Sequence, residues 1–592
     1  MYQAPLRELR FVLDELLGTQ SLAGSGGLED YSPELAEQVL SEAAKFSESI
    51  LEPLNQPGDR EGAHWTADGV RAPKGFKAAY EQYVAGGWPA LGANAEFGGQ
   101  AVPNALSSAV RELMASANLA FKLCPMLTIG AVEALDLCGS QEQKERFLPK
   151  MVSGEWTGTM VLTEPHAGSD LGLIRTRAVP DGQHYRIFGQ KIFITWGEHD
   201  LTPNIIHMVL GRIDGAPAGT RGISLFIVPK VLVNDDGSPG ARNEVRCVSI
   251  EHKLGIHASP TCTLAFGDDK GAVGYLIGEA NRGLEYMFIM MNAARLSVGL
   301  EGYSVAERAF QRAADWARTR VQGKPPVAAA SGPAPIINHP DVKRMLLTMK
   351  SSIEAMRSVA LYAAFQLDIA QYDADQAKRA AAQTRADLLI PIVKGWCTEH
   401  GNDVTHLGIQ IHGGMGFVEE TGAAQYARDV RITTIYEGTT GIQANDLIGR
   451  KIGRDGGAAL GVLIADMTNE LKALQSSDPF AVATKNAALE GVGLLTEAAQ
   501  SLGKALKTAP DRAQAVAVPF LKLSGFVIGG WLMAKAAAIA ASKLNGADKD
   551  FYTAKLRTAR FYAEQVLPTA LSHARVVMSG GASVTETDAA LI

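Results

Sequence analysis

The sequence predicts an α+β multidomain chain whose segments run helical, β-rich, helical and again helical. Three observations carry that reading. The 592 residues exceed the length at which one hydrophobic core stops growing, so several packed domains are expected. The apolar pattern changes period along the chain, from helical spacing to short β-branched runs and back. Strands and helices do not alternate, which argues against a doubly wound nucleotide-binding sheet.

Residues 1–157 form the first division. From 33 to about 150 the spacing is mostly helical, with acidic residues near helix starts and breaks at Pro53, Gly86-Gly87 and Gly98-Gly99, and an all-helical domain is expected. Residues 158–282 change texture: the runs 185–188, 192–195, 205–210 and 223–228 are separated by Gly, Pro and Asp turns and predict a β domain. Helical spacing returns at 283 and continues to 452 outside a loop over 323–335. Within it Val342, Met345, Leu346, Met349, Ile353 and Met356 make one apolar stripe, the core face of a helix. A Gly-rich break over 453–461 opens the last division, 453–592, rich in Ala, Leu and Lys. Its most apolar stretch, 520–541, is interrupted by Lys522, Lys535 and Gly529-Gly530, so a buried helix or helix pair is expected there and not a transmembrane span.

Composition narrows the function. Hydrophobic residues at 46%, charged residues at 20% and a net charge of -7 fit a soluble globular enzyme and disfavour nucleic acid as a partner. Cys124, Cys138, Cys247, Cys262 and Cys397 form no CxxC pair and are odd in number, which predicts reduced thiols. The N-terminal residues 1–8 lack a basic segment followed by an apolar one, and a cytoplasmic location is expected.

Several chemistries lose their usual motif. The run Gly413-Gly414-Met415-Gly416-Phe417 lacks a third glycine at dinucleotide spacing, and neither Gly323-Lys324 nor Gly503-Lys504 precedes Ser or Thr, so NAD and P-loop binding are unsupported. The histidines show no HExxH spacing, and no metal site is expected. No GxSxG elbow occurs.

Residues 431–443, Arg-Ile-Thr-Thr-Ile-Tyr-Glu-Gly-Thr-Thr-Gly-Ile-Gln, set one carboxylate, Glu437, between an apolar run and a Gly/Thr turn. A base held there can meet a substrate carbon. Two upstream segments, 162–170 (Leu-Thr-Glu-Pro-His-Ala-Gly-Ser-Asp) and 253–261 (Lys-Leu-Gly-Ile-His-Ala-Ser-Pro-Thr), are similarly rich in Thr, Ser and Gly turns. Such turns suit a large, polar, partly planar ligand such as a flavin.

On these residues the chain resembles the acyl-CoA dehydrogenase family from about residue 30 to 452, through 158–171, 253–266 and 410–443. The resemblance implies a helical N-terminal domain, a β-barrel-like middle domain and a C-terminal four-helix bundle, followed here by an extra helical domain. It implies FAD as cofactor. Met160, Leu162, Thr163 and Ser169 would lie beside the flavin, Ser169 also toward CoA. Phe193, Ile194 and Thr195 match the family's aromatic-Ile-Thr wall, and Asn292 and Arg295 match the segment that meets CoA. Arg320 and Gln322 fall in the diphosphate-binding segment, where a guanidinium can donate in a bidentate manner, and His339 is counted among the cofactor-binding residues. The Arg320 segment, together with Gln410, Gly413 and Gly414, would serve the flavin of a neighbouring subunit. Gly438, Thr439 and Gly441 complete the cofactor set, Gly441 through its backbone N–H. This chain departs from the pattern at His166, Met160 and Gly441, where many members carry a small residue, an aromatic and a polar side chain respectively.

The same resemblance assigns Glu437 to the α-proton of an acyl thioester while flavin N5 takes the β-hydride. Its own backbone N–H and a ribityl hydroxyl would bond the thioester oxygen. Some relatives supply the base from the position before the CoA-segment arginine; here that is Ala294. The implied partners are an acyl-CoA, electron-transferring flavoprotein as acceptor, and a second copy of the chain, the extra domain favouring a homodimer. Length and N-terminus resemble the bacterial group acting on 3-methylmercaptopropionyl-CoA, so a short linear or thioether chain is expected. A medium- or long-chain substrate, an oxidase or a catalytically silent scaffold are the alternatives.

Overall fold

The computed structural model describes residues 2–28, 31–234, 236–326 and 332–592; part of the loop expected over 323–335 lies outside them. The chain forms two compact units, one of residues 42–103 and 117–294, the other of 1–41, 104–116 and 295–592. The divider falls inside the helix Gly283–Thr319. The helices after 453 therefore belong to the same unit as those before it.

The first unit carries the β structure. Its main sheet has eight strands: β1 Trp156–Val161, β2 Arg177–Asp181, β3 His184–Thr195, β4 Asn204–Ile213, β5 Ile223–Pro229, β6 Val245–Ile250, β7 Thr261–Phe266 and β8 Ala272–Leu276. Pairing runs β6-β7-β3-β8-β5-β4-β1, and β2 joins β3 to β4. Strands β3, β8, β5, β4 and β2 thereby close a ring, which removes free edges from those strands. Val161, Ala178, Ile187, Val209, Phe226, Val228, Leu264 and Phe266 fill the core. The two runs read separately at 185–188 and 192–195 are one strand, β3. The region expected to be wholly helical also holds a hairpin, His64–Thr66 with Gly69–Arg71. Its strands of three residues are too short for alternation to register.

The second unit is helical. Pro340–Tyr372 and Gln376–His412 pack along each other, and the Met345-Leu346-Met349-Ile353-Met356 stripe is buried. A fully buried network ties three helices together. Arg357 donates from Nε to Glu112 Oε1 at 2.8 Å and from Nη2 to Glu307 Oε2 at 2.9 Å, while Tyr303 Oη donates to Glu112 Oε2 at 3.0 Å.

Asp368 closes the start of the helix Asn104–Ala117. Its buried carboxylate accepts the backbone N–H groups of Asn104 at 2.5 Å and Ala105 at 2.9 Å, two donors that no intrahelical carbonyl can satisfy. Burial pushes this carboxyl up to about 7, against the pull of those N–H groups. The folded state thus holds the proton more tightly than the unfolded chain, whose aspartate titrates near ~4. Ionisation of Asp368 costs stability progressively between about pH 4 and 7 and no further above. Asp368→Ala is expected to destabilise by about 2 kcal/mol through the two orphaned donors. Asp368→Asn should lose the pH-dependent part, as urea titrations across that range will measure.

Ala517–Ser542 is one uninterrupted helix of 26 residues. It is long and apolar enough to cross a membrane, yet 83% of its apolar window is buried inside the protein. Its lysines are answered by carboxylates, Lys522 with Glu399 at 3.0 Å and Lys535 with Glu470 at 2.8 Å. Its glycines serve close approach and do not break it: a Cβ on Gly525 would lie 2.2 Å from Trp396 Cγ. The N-terminal segment joins the same unit through Lys555, which donates to Glu8 at 2.5 Å and Glu354 at 2.7 Å.

Candidate active site

Glu437 stands in a tight turn between the 3₁₀ segment Arg431–Thr434 and the short helix Thr440–Asp446. Its φ is 56° and that of Gly438 is 87°. A left-handed glutamate costs about 1–3 kcal/mol and persists only where its surroundings impose it. The constraint comes through the carbonyls. Gln443 Nε2 donates to Glu437 O at 3.1 Å and Gly438 O at 3.3 Å, and Lys394 Nζ donates to Gly438 O at 2.7 Å. A Cβ at 438 would lie 2.7 Å from Gln443 Nε2, the amide that holds this turn, and the positive φ itself favours glycine.

The Glu437 side chain is half-buried. Among the described residues no donor hydrogen-bonds its carboxylate and no cation reaches ion-pairing distance. Burial pushes it up to about 7; Arg295 and Lys394 pull it down and Glu301 pushes it further up. A carboxylate with free lone pairs and a pKa near neutrality is fitted to accept a proton.

Arg295, matched by sequence to the CoA-contacting segment, is 2% exposed. It donates from Nη1 to Asp446 at 3.1 Å, and Asp446 also holds Arg450 at 2.6 Å. The guanidinium is thus engaged inside the helical unit, where its charge acts on Glu437. Thr439 is exposed and Gly441 half-buried; the Thr439 hydroxyl caps the short helix by accepting from Ile442 N at 3.3 Å. Two further groups of the same unit were not legible as site residues. Lys394 lies outside the matched segments, and Gln443, which closes the 431–443 run, carried no assigned role there; the one hint to Lys394 was a lysine in the otherwise apolar helical run 388–397.

Also in the helical unit, Arg320, Gln322 and His339 come together although the loop between them is long. Val321 and Pro335 form an isolated bridge, Ile336 N donates to Arg320 O at 2.8 Å, and a His339 ring nitrogen meets Gln322 O at 2.8 Å. Arg320 and Gln322 are exposed. Gln410, Gly413 and Gly414 are exposed at the end of Gln376–His412, followed by Phe417, 88% exposed.

The β unit holds the other predicted set. Between β3 and β7 the register slips: Cys262 pairs with Ile194 but Leu264 with Lys191, so Ile192 and Phe193 oppose a single residue in a β-bulge. Released from the ladder, Ile192 N donates to Thr163 O at 2.9 Å. Lys191 Nζ donates to Leu162 O at 2.8 Å and pairs with Glu164 at 3.0 Å. Glu164 in turn accepts from Arg175 N at 2.7 Å and Thr176 N at 3.0 Å. These bonds fix the 162–164 segment to β3.

The bulge also throws Phe193 to φ 60° and leaves the residue 59% exposed. A strained aromatic kept out of the core suits one wall of a planar ring, with half-buried Leu162, Thr163 and Thr195 beside it. The residues present therefore fit a flavin. Met160 and Ile194 are buried in the unit's interior, which leaves their backbone for such a ligand. Ser169 and His166 are exposed and Asn292 half-buried; His166 faces the Leu173 carbonyl at 3.1 Å.

Four family descriptions match in chain order: acyl-CoA dehydrogenase N-terminal domain over 33–155, middle domain over 159–268, C-terminal domain over 281–452, and acetyl-CoA dehydrogenase C-terminal like over 463–588. The chain is 44% identical to 3-methylmercaptopropionyl-CoA dehydrogenase of Ruegeria pomeroyi across 99% of both chains. It is 34% identical to the broad-specificity linear acyl-CoA dehydrogenase FadE5 of Mycobacterium tuberculosis, over 100% of this chain and 99% of that one. Among solved structures, an acyl-CoA dehydrogenase complexed with FAD from Bacillus anthracis superposes with a TM-score of 0.71 at 23% identity, covering 95% of this chain and 90% of that one.

Proposed function

The chain belongs to the acyl-CoA dehydrogenase family of FAD-dependent oxidoreductases, and from that membership we propose that Glu437 is the base that takes the α-proton of an acyl-CoA. The reading rests on the half-buried, unpartnered Glu437 carboxylate with its pKa near 7. FAD, when bound, supplies the acceptor for the β-hydride. The chain's residues do the rest. The Gln443 and Lys394 bonds hold the turn, so the Glu437 N–H keeps a fixed direction for a thioester oxygen. Entry of an apolar acyl chain excludes water and raises the base further.

We assign Met160, Leu162, Thr163, Ser169, Phe193, Ile194, Thr195, Gly438, Thr439 and Gly441 to the flavin. Arg320, Gln322, His339, Gln410, Gly413 and Gly414 are assigned to the flavin of a second copy, and Ser169, Asn292 and Arg295 to the substrate. The acyl group is a short linear or thioether chain such as 3-methylmercaptopropionyl, as the name of the Ruegeria relative suggests. Electron-transferring flavoprotein is the proposed acceptor, a homodimer the proposed assembly, and the cytoplasm the proposed location, in keeping with five free thiols.

Anaerobic addition of acyl-CoAs of graded length to the flavin-loaded protein tests this. Bleaching by 3-methylmercaptopropionyl-CoA and butyryl-CoA ahead of C8 and longer chains is expected; preference for long chains would overturn the substrate assignment. Because the carboxylate is the active form, the second-order rate of bleaching should rise about tenfold per pH unit below about 7 and flatten above it.

A further inference from the structure

Lys394 lies on Gln376–His412 within a run, 388–398, that is buried throughout, and its own side chain is 0% exposed. A buried cation costs several kcal/mol unless it is compensated. Two of the other buried lysines meet that cost with carboxylates in contact: Lys191 with Glu164 at 3.0 Å and Lys555 with Glu354 at 2.7 Å. Lys394 is different. Among the described residues no carboxylate comes within ion-pairing distance of it, and its hydrogen bond goes to the Gly438 carbonyl at 2.7 Å.

The groups that face Lys394 are nevertheless acidic. They are Glu437 in the turn, Glu301 on Gly283–Thr319 and Glu399 one turn along its own helix, with the cation Arg295 opposing. Neighbours engage two of these: Tyr436 Oη donates to Glu301, while Glu399 takes the Thr440 hydroxyl at 2.7 Å and Lys522 at 3.0 Å. Glu437 alone of the three carboxylates has no hydrogen bond or ion pair among the described residues.

We propose that Lys394 is a positioning residue for the base: its ammonium pins the Gly438 carbonyl, fixing the strained turn, and holds a positive charge near the Glu437 carboxylate without covering its lone pairs. This rests on the reading of Glu437 as the base. A direct salt bridge would stabilise the carboxylate more strongly but occupy the oxygen that must take the proton. A charge at one remove tunes the group and leaves it free. Burial pulls Lys394 down to about 7, the range to which burial raises Glu437.

Two variants separate the roles. Lys394→Gln keeps an amide donor and loses the charge; Lys394→Met loses both. In flavin-loaded protein both are expected to move the acidic limb of the bleaching rate upward by about one pH unit, lowering the rate at pH 6 about tenfold. Lys394→Met should also lower the alkaline plateau of kcat with little change in KM, and Lys394→Gln should recover part of it.

A second readout needs no substrate. Raised above its unfolded value, Glu437 costs stability as pH rises up to its folded pKa and no further. The urea-measured stability gap between each background and its Glu437→Gln counterpart should therefore break near pH 7 in the parent, and at higher pH once Lys394 is replaced. An unmoved break overturns the proposal, as does an acidic limb unmoved in both variants. If no acyl-CoA bleaches the parent, the reading of Glu437 as base fails, while a shifted break still supports the coupling of Lys394 to Glu437.

Discussion

Glu437→Gln is expected to lower flavin bleaching by acyl-CoA at least about 10³-fold, the range a general base contributes, with flavin content and visible spectrum unchanged. The amide keeps the shape of the side chain and the backbone turn, whose carbonyls are held by Gln443 and Lys394, but cannot accept the proton. Because the carboxylate has no hydrogen-bond partner among the described residues, the substitution breaks no bond of the fold and should leave thermal stability equal or raised. Stopped-flow reduction of parent and variant at pH 8 measures the ratio. Turnover within tenfold of the parent would remove Glu437 from the chemistry.

The largest expected loss of stability follows Arg357→Met. Arg357 is the cation for two carboxylates, Glu112 and Glu307, with Glu112 fully buried. Methionine fills much of the volume but leaves Glu112 with the Tyr303 hydroxyl and no countercharge from Arg357. Breaking a buried pair in this way costs about 3–5 kcal/mol. Burial already pushes the Glu112 carboxyl up against the opposing pull of Arg357, so removing that pull raises it further. The folded state then holds its proton more tightly, and the variant's deficit should grow as pH rises above the unfolded glutamate value. Urea denaturation at pH 5 and pH 8 will separate the two parts. The companion Glu112→Gln/Arg357→Met pair should recover part of the loss.

The fold was legible where a single period runs long enough. The stripe from Met345 to Met356 and the β-branched runs that became β3, β4 and β5 are such places. Legibility ended where long-range packing decides. The bulge that exposes Phe193 is set by its register with β7, some 70 residues later, and the three-residue hairpin strands near residue 65 carry no alternation. Gly529-Gly530 read as a break because glycine weakens helices, yet the glycines of that helix admit neighbours such as Trp396 and Tyr562. In the site, Glu437 was legible because its turn is local. Lys394 and the pairing of Arg295 with Asp446 were not, since each joins distant stretches of chain: Lys394 and Gly438 are 44 residues apart, Arg295 and Asp446 151. No spacing rule joins such pairs; the burial of the charges does.

Proton removal can be isolated from flavin reduction with an acyl-CoA in which sulfur replaces the β-carbon, so that no β-hydrogen remains to be lost. The flavin-loaded chain in D₂O at pH 8 is predicted to exchange that ligand's α-hydrogens for deuterium well above the solution rate, and the Glu437→Gln variant to exchange them no faster than buffer does. Undiminished exchange by the variant would contradict the assignment of the base.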